Sequence, residues 1–186
     1  MELSAVELAA AVITIASIAL ATRANVWYYP TGIASVLLYA WIYFGARLYA
    51  EAGLQLIWLV LLVYGWWNWL YGGANKTELP VTRTPAAGWA TVIAAGIALT
   101  VAIYGLQRHY TDNPNPLTDS SIAAWSIVAQ WMTAKKWIES WVLWLAVNAV
   151  AVPLYVVRGL VPTAVLYAVL FVLAIEGWRK WRANLR

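Results

Sequence analysis

The sequence predicts an all-α polytopic membrane protein with seven transmembrane helices. Hydrophobic residues make up 63% of the 186 residues and charged residues only 11%. A soluble domain carries about 25% charged residues because its surface must meet water. Seven apolar stretches divide the chain, and most approach the ~20 residues that a helix needs to cross a bilayer. An internal repeat further predicts parallel 3+1+3 repeats.

The seven predicted helices follow one another with short interruptions. They cover residues 4–22, 29–47, 52–71, 86–107, 120–134, 137–157 and 160–178. Gly72 and Gly73 close the third helix, and prolines break the chain before the fourth and fifth. Ser4 and Glu7 have the spacing of a capping box, which explains Glu7 without a functional role.

The basic residues predict the orientation of the helices. With the N-terminus outside, nine of the twelve Lys and Arg residues fall on the cytoplasmic side, and only Arg47, Arg108 and Arg158 fall outside. Loops on the cytoplasmic side of a membrane collect Lys and Arg. The asymmetry therefore predicts a cytoplasmic C-terminus, and it accounts for the net charge of +4 without nucleic acid.

The chain matches itself without gaps at a constant offset in residue number, which we call the repeat offset. The matched positions include Tyr43 with Tyr155, Leu48 with Leu160, Gly65-Trp66 with Gly177-Trp178, and Trp69 with Trp181. The repeat offset maps helices 1–3 onto helices 5–7, and a shift of four helices preserves direction across the membrane. Parallel repeats of this kind are a known transporter plan, and the fold resembles that of SWEET sugar facilitators. The sequence therefore predicts a first triplet in residues 1–73, a loop and connector helix in 74–115, and a second triplet with a basic tail in 116–186.

The ionisable residues argue against catalysis and against ion coupling. The eight acidic residues lie at or near predicted helix ends or in loops, and the only histidine, His109, lies in an outside loop. Proton-coupled carriers and intramembrane enzymes keep ionisable groups at membrane depth. The chain has no cysteine, which excludes thiolate catalysis and cysteine-ligated metals. We therefore predict no enzyme activity, catalytic residue, metal site or cofactor, and favour passive passage of a neutral or weakly charged solute.

Aromatic rings and amides share faces of the predicted helices. Helix 3 aligns Gln55, Trp58, Leu62, Trp66 and Trp69; helix 6 aligns Trp137, Trp141, Trp144, Asn148 and Tyr155; helix 5 adds Ser126 and Gln130. Such faces suit a planar heterocycle, since flat rings stack and amides orient them. Two alternatives stay open: an amide joins two helices, and aromatic residues near helix ends form an interfacial belt. We assign Trp27, Tyr28, Trp178 and Trp181 to that belt.

At these positions the chain resembles the PnuC family of bacterial vitamin transporters. The matching segments are residues 23–32 (RANVWYYPTG), 48–55 (LYAEAGLQ), 64–69 (YGWWNW), 129–132 (AQWM), 135–141 (KKWIESW) and 177–182 (GWRKWR). Tyr29 stands where the family commonly has Trp. The resemblance covers nearly the whole chain.

The resemblance implies a homo-oligomer, a trimer, in the bacterial cytoplasmic membrane. It implies facilitated diffusion of an unphosphorylated B vitamin that a cytoplasmic kinase then traps. Carried over by motif, the substrate-binding residues are Gln55, Trp66, Trp69, Gln130, Trp141, Trp144 and Asn148. Relatives carry nicotinamide riboside, thiamine or riboflavin, and a carboxamide suits Asn and Gln partners, so nicotinamide riboside is the first expectation. The other class considered is a non-transporting membrane scaffold subunit.

Overall fold

The computed structural model describes residues 5–185, apart from the side chains of residues 49 and 50. Its seven α-helices are α1 (Ala5–Thr22), α2 (Tyr28–Gly45), α3 (Tyr49–Tyr71), α4 (Ala86–Tyr110), α5 (Pro116–Ala134), α6 (Ser140–Val157) and α7 (Val161–Ala183), with a short 3-10 turn at Ala74–Lys76. The predicted all-α fold with seven helices is confirmed. The predicted cap at Ser4 lies outside the described residues.

Five helix boundaries lie three or more residues from the prediction, among them the start of α3 at Tyr49 rather than residue 52 and the end of α4 at Tyr110 rather than residue 107. Helix α5 begins at Pro116 rather than at residue 120, because proline is pre-organised for the first position of a helix. Helix α6 begins at Ser140 rather than at residue 137, since Trp137 belongs to a turn in which its N–H bonds the Met132 carbonyl. Helix α7 continues beyond Trp178 to Ala183, because its last turns still bury an aromatic side chain.

Five of the seven helices are long and apolar enough to cross a membrane by themselves, namely α1, α3, α4, α6 and α7. Helix α2 falls short because tyrosines and Pro30 dilute its apolar residues, and α5 because it carries Asp119, several hydroxyls and Gln130. Helix α5 packs against α3, α4 and α6 and has ten buried residues. Its polar side chains therefore face protein rather than lipid.

Six helices form a closed ring in the order α1, α2, α3, α5, α6, α7, with α7 packed back on α1. Helix α4 packs against α5 and buries Gly88, Val92 and Gly96, while most of its remaining surface is open. Exchanging α1–α3 with α5–α7 leaves the order of this ring unchanged. The ring thus has the arrangement expected for two triplets and a peripheral connector.

The repeat also recurs in the backbone at the same offset. Ala24 and Lys136 both have left-handed φ angles, of 52° and 53°. Arg47 and Gly159 are a second such pair, with φ angles of 61° and 72°. Each pair occupies the same turn in its triplet, after the first or the second helix. The parallel 3+1+3 plan stays a prediction, and these matched turns support it.

One end of the ring is closed by the segment 77–85 between α3 and α4, which we call the strap. Its Leu79 N–H donates to the Trp69 carbonyl at 3.0 Å. The Thr82 N–H donates to the Lys136 carbonyl at 3.1 Å, and the Thr82 carbonyl accepts from the Ile138 N–H at 2.9 Å. Thr84 donates to the Glu139 carboxylate through both its N–H and its hydroxyl, each at 2.8 Å. The strap therefore fastens the end of the first triplet to the start of α6.

Candidate functional site

Five aromatic side chains fill the ring at the end beneath the strap. We call them the aromatic plug: Tyr28, Tyr29, Trp69, Trp141 and Trp181, all buried. Trp69 meets Tyr29 edge-on at 4.9 Å between ring centroids, and Trp181 lies 5.7 Å from Trp69 and 5.4 Å from Trp141. Edge-to-face contacts of this length are favourable beyond the area they bury. The loops at this end carry Arg23, Lys76, Arg83, Lys135 and Lys136, so we call it the basic end.

Two indole hydrogen bonds tie the triplets together across the plug. Trp69 Nε1 of α3 donates to the Thr133 carbonyl of α5 at 3.0 Å. Trp181 Nε1 of α7 donates to the Ala21 carbonyl of α1 at 2.9 Å. The two donors and the two acceptors are each related by the repeat offset, so each triplet makes the same bond to the other. These paired bonds hold the basic end closed.

A buried ammonium supports the plug from the side of the strap. Lys136 Nζ bonds the Glu78 carboxylate and the Leu79 carbonyl, each at 2.8 Å, and lies 4.6 Å from the Trp69 ring centroid. The lysine is almost wholly buried, whereas the glutamate side chain is 74% exposed. The Lys136 charge is thus compensated by an ion pair, a carbonyl and an aromatic face, as a buried cation requires.

The Tyr29 hydroxyl of the plug and the Ser140 hydroxyl are buried without a hydrogen-bond partner among the described residues. The same holds for three polar atoms of predicted binding residues: Gln130 Nε2, Trp141 Nε1 in the plug, and Asn148 Oδ1 further along α6. Of these three, two are donors and one is an acceptor. Leaving a buried polar group unpaired costs about 1–3 kcal/mol, so most such groups in proteins are paired. The cluster therefore offers bonds to a group that the chain itself does not supply.

These three unpartnered atoms belong to side chains that α5 and α6 hold in fixed places. Gln130 accepts a hydrogen bond from the Tyr28 hydroxyl at 2.8 Å through Oε1. Trp144 donates from Nε1 to Thr133 Oγ1 at 3.2 Å, and that hydroxyl donates onward to the Ala129 carbonyl at 2.9 Å. Trp141, Trp144 and Asn148 are spaced by three and four residues, so they share one face of α6.

The structure brings four of the seven predicted binding residues to this region: Trp69, Gln130, Trp141 and Trp144. Asn148 is buried on the same face of α6, two turns or about 10 Å along the helix axis from Trp141. Trp66 is separate, with 36% of its surface exposed, because the buried arc of α3 runs through Leu62, Gly65 and Trp69 and Trp66 lies beyond its edge. Gln55 is half-buried and precedes Trp69 by fourteen residues, about 21 Å along the helix axis. Neither residue touches the plug.

The belt assignment is wrong for Tyr28 and Trp181, which are 3% and 0% exposed and belong to the plug. Trp27, at 64% exposure, is placed as a belt residue would be, and Trp178 is half-buried. Sequence reasoning also missed Thr133, whose carbonyl and hydroxyl receive two indoles. The repeat held a signal for Trp181, since its partner at the repeat offset is Trp69.

Two apolar grooves lie away from this cluster. One, of about 250 Å³, runs between α5 and α6 along Ile122, Trp125 and Val147. The other, of about 310 Å³, runs between α3 and α5 along Leu56, Val60 and Ile127. None of the seven predicted binding residues lines either groove. Their apolar walls suit lipid chains better than a vitamin.

A ring of membrane-length helices with unpartnered amides inside it is the architecture of a multi-pass membrane transporter. Residues 4–183 match the family model described as nicotinamide mononucleotide transporter, and the chain belongs to that family. The predicted PnuC family membership is confirmed. The family consists of transporters and not of enzymes, and membership leaves the scaffold alternative without support.

The relatives agree with this family. The chain is 28% identical over 205 residues to the nicotinamide riboside transporter PnuC of Escherichia coli (strain K12), covering 97% of this chain and 86% of the relative. It is 30% identical over 169 residues to the riboflavin/roseoflavin transporter RibM of Streptomyces davaonensis, covering 89% and 78%. A crystal structure of the vitamin B3 transporter PnuC superposes with a TM-score of 0.72 at 23% identity, covering 94% of this chain and 79% of that one. That last likeness supports the fold.

Proposed function

We propose that this protein mediates facilitated diffusion of an unphosphorylated B vitamin across the bacterial cytoplasmic membrane, with nicotinamide riboside as the first candidate. The observation that carries the proposal is the set of unpartnered atoms Gln130 Nε2, Trp141 Nε1 and Asn148 Oδ1 on α5 and α6. The E. coli relative, named a nicotinamide riboside transporter, supports the choice of vitamin.

The donor and acceptor pattern matches the chemistry of a carboxamide. A carboxamide carbonyl accepts bonds of the kind that Gln130 Nε2 and Trp141 Nε1 offer, and its NH₂ group donates to an acceptor such as Asn148 Oδ1. A flat pyridinium ring would also stack against indoles such as Trp144 and gain cation–π attraction. Trp69 completes the proposed site. Gln55 and Trp66 stay predictions from the family resemblance, which the described geometry does not support.

The positions of the acids support passive transport. Glu7, Glu51 and Asp119 lie in first turns of helices, Glu139 precedes α6, and Glu78 lies in the strap. Asp112 lies in the loop before α5, and Glu176, two turns before the end of α7, pairs with Lys180 and is 44% exposed. The described residues thus place no buried carboxylate inside the ring, where a proton- or ion-coupled carrier would need one. Accumulation would then depend on a cytoplasmic kinase that converts the vitamin into a charged phosphate.

The basic end gives the proposed direction. Because cytoplasmic loops collect Lys and Arg, we place this end, with the plug and the strap, in the cytoplasm and the N-terminus outside. The structure is therefore closed toward the cytoplasm by its paired indole bonds. A trimer stays part of the proposal from the family resemblance.

The proposal is tested with purified protein in liposomes that enclose ATP and a nicotinamide riboside kinase. Labelled nicotinamide riboside should accumulate as its phosphate when ATP is present and only equilibrate when ATP is absent. Protein-free liposomes and liposomes without kinase are the controls. Absence of uptake of nicotinamide riboside, thiamine and riboflavin alike would overturn the proposal.

Riboflavin is the second candidate, favoured by the 30% identity to RibM. Its tricyclic ring also presents carbonyl acceptors and an N–H donor to amides. The same liposomes with a riboflavin kinase separate the two vitamins, and thiamine with its own kinase is the third arm. The vitamin that accumulates, and that shifts the melting temperature at the lowest concentration, is the substrate.

A further inference from the structure

We infer that Tyr28 is a positioning residue that sets substrate selectivity by fixing which end of the Gln130 amide faces the ligand. The inference rests on the proposed vitamin site. Its basis is the hydrogen bond from the Tyr28 hydroxyl to Gln130 Oε1 at 2.8 Å, formed between side chains that are 3% and 4% exposed.

The bond reaches across the ring. Tyr28 is the first residue of α2, and Gln130 lies one turn before the end of α5. Helices α2 and α5 are not neighbours in the ring, because α3 separates them on one side. Both side chains therefore point into the interior, where a translocated solute must pass. The Tyr28 ring is also held in place, with Tyr29 at 4.6 Å and Trp69 at 6.0 Å between centroids.

The bond favours one orientation of the Gln130 amide. In the reverse orientation the Tyr28 hydroxyl would accept from Nε2, and its proton would lose its acceptor among the described residues. A glutamine amide presents an acceptor oxygen at one end and a donor NH₂ at the other. Because the Tyr28 hydroxyl donates to Oε1, the amide turns its Nε2 away, and this nitrogen is buried without a partner within residues 5–185. The site thus shows a donor at this point. A ligand carbonyl satisfies it, whereas a ligand N–H would leave two donors facing each other.

The arrangement is not a product of the repeat. At the repeat offset, Gln130 corresponds to Ile18 and Tyr28 corresponds to Ser140. The first triplet has no amide at the equivalent place, and Ser140 Oγ, buried, has no partner in the described part of the chain. The tyrosine–glutamine pair is therefore found in one triplet arrangement and not in its equivalent. This is expected of residues that bind an asymmetric ligand.

The test is a double-mutant cycle on the purified full-length protein, with Tyr28→Phe and Gln130→Leu. The Kd is measured for nicotinamide riboside and for an analogue whose carboxamide is replaced by an aminomethyl group, a donor without a carbonyl. Wild-type protein should prefer nicotinamide riboside by at least about tenfold. Tyr28→Phe frees the amide to rotate and should reduce this preference to about threefold or less. In the Gln130→Leu background the same change should alter neither Kd by more than about twofold.

Two further variants keep the result interpretable. Gln130→Glu keeps an oxygen for Tyr28 but has no N–H, so nicotinamide riboside binding should fall at least about tenfold even though the bond to Tyr28 can form. Tyr29→Phe removes a neighbouring buried hydroxyl that has no partner in the described residues, and it should leave the preference between the two ligands unchanged.

A purely structural brace would behave differently. Tyr28→Phe would then raise the Kd of both ligands by the same factor, or it would raise them equally in the wild-type and Gln130→Leu backgrounds. Either result would overturn the inference. If the wild-type protein binds nicotinamide riboside and the preference survives Tyr28→Phe, only the inference fails. If the wild-type protein binds none of the three vitamins, the proposed function fails first and the inference fails with it.

Discussion

In the parallel-repeat plan that we predict, the two triplets share matched turns but carry different chemistry. The second triplet presents Gln130, Trp141, Trp144 and Asn148 at the proposed site. At the repeat offset, the first triplet has Ile18, Tyr29, Gly32 and Val36 in the equivalent positions. The polar ligand groups therefore belong to one copy, while the other copy contributes mainly rings. A repeat can supply a symmetric frame, but a vitamin with one polar end needs an asymmetric site.

The features that the two triplets share hold the ring of helices together. Both repeat a left-handed residue after their first helix, Ala24 and Lys136, and both send an indole to a carbonyl of the other triplet. Left-handed conformations cost non-glycine residues roughly 1–3 kcal/mol unless their surroundings enforce them. The same turn occurs in both copies, which indicates that the frame requires it.

The largest expected effect comes from adding a methyl group at equivalent glycines. A Cβ at Gly177 would lie 2.5 Å from the Trp141 ring, and one at Gly65 would lie 2.5 Å from the Tyr29 ring. Gly177→Ala and Gly65→Ala should each destabilise the protein by up to about 3 kcal/mol, because overpacking forces rings from their places. Only Gly177→Ala moves a proposed ligand group, so it should also weaken vitamin binding more strongly.

Thermal melting and binding titrations on both glycine variants check this prediction. Equal losses of affinity in the two would contradict the assignment of ligand chemistry to the second triplet. A melting temperature that stays unchanged in both would contradict the close approach of the helices to these rings.

A smaller effect separates the triplets at a polar position. Asn148→Ala should weaken vitamin binding at least about tenfold, about 1.4 kcal/mol, because Asn148 Oδ1 is left for the ligand. The empty protein should lose little of its melting temperature, because removal of the unpaired Oδ1 offsets the cavity that the buried side chain leaves. The equivalent change Val36→Ala should lower stability by roughly 1 kcal/mol and leave the Kd unchanged.

Isothermal titration on the two variants gives the comparison directly. An Asn148→Ala protein that binds the vitamin like wild type would remove this residue from the site. A Val36→Ala protein with weakened binding would show that the first triplet also carries ligand contacts.

The smallest difference between the triplets is expected at the indoles. Trp69→Phe and Trp181→Phe each remove one donor and keep an aromatic ring, so each should cost about 1 kcal/mol. The similarity should hold because the two bonds are equivalent, at 3.0 and 2.9 Å. Melting temperatures measured side by side test it. A drop several times larger for one of them would mean that the two bonds do not share the closure of the basic end equally.

Much of the fold could be predicted from the sequence because it depends on regular patterns, namely apolar stretches of membrane length and an internal repeat. Apolar stretches of membrane length predicted all seven helices. The repeat offset aligned Trp69 with Trp181 in the sequence, and the structure adds the matched left-handed turns and indole hydrogen bonds. The start of α5 at Pro116 was missed, since polar residues there suggested a loop. These residues are half-buried or exposed, and the turn is held by Asp119, whose carboxylate accepts from Asn113 Nδ2 and pairs with Arg158. Hydropathy does not register such polar partners.

The site could be predicted only in part because partners are decided by the fold. Gln130 and Asn148 were found since a deep amide in an apolar helix is unusual. Tyr28 and Trp181 were misplaced because nearness to a helix end does not tell which side of the ring a side chain faces. Thr133 left no signal, since its role depends largely on a backbone carbonyl that every residue has. Trp66 lies outside the proposed site because its position on α3 is just beyond the buried face of that helix.

The burial of Lys136 has a consequence for reactivity. An ammonium held by Glu78, Leu79 and the face of Trp69 is shielded from reagents as long as the strap lies over it. Lys135, the adjacent residue, is more open and carries the same functional group. The rate at which an amine reagent acylates Lys136, relative to the rate for Lys135, therefore measures strap opening. The ratio of the two acylation rates reports how often this end of the ring opens, with the neighbouring lysine as the reference.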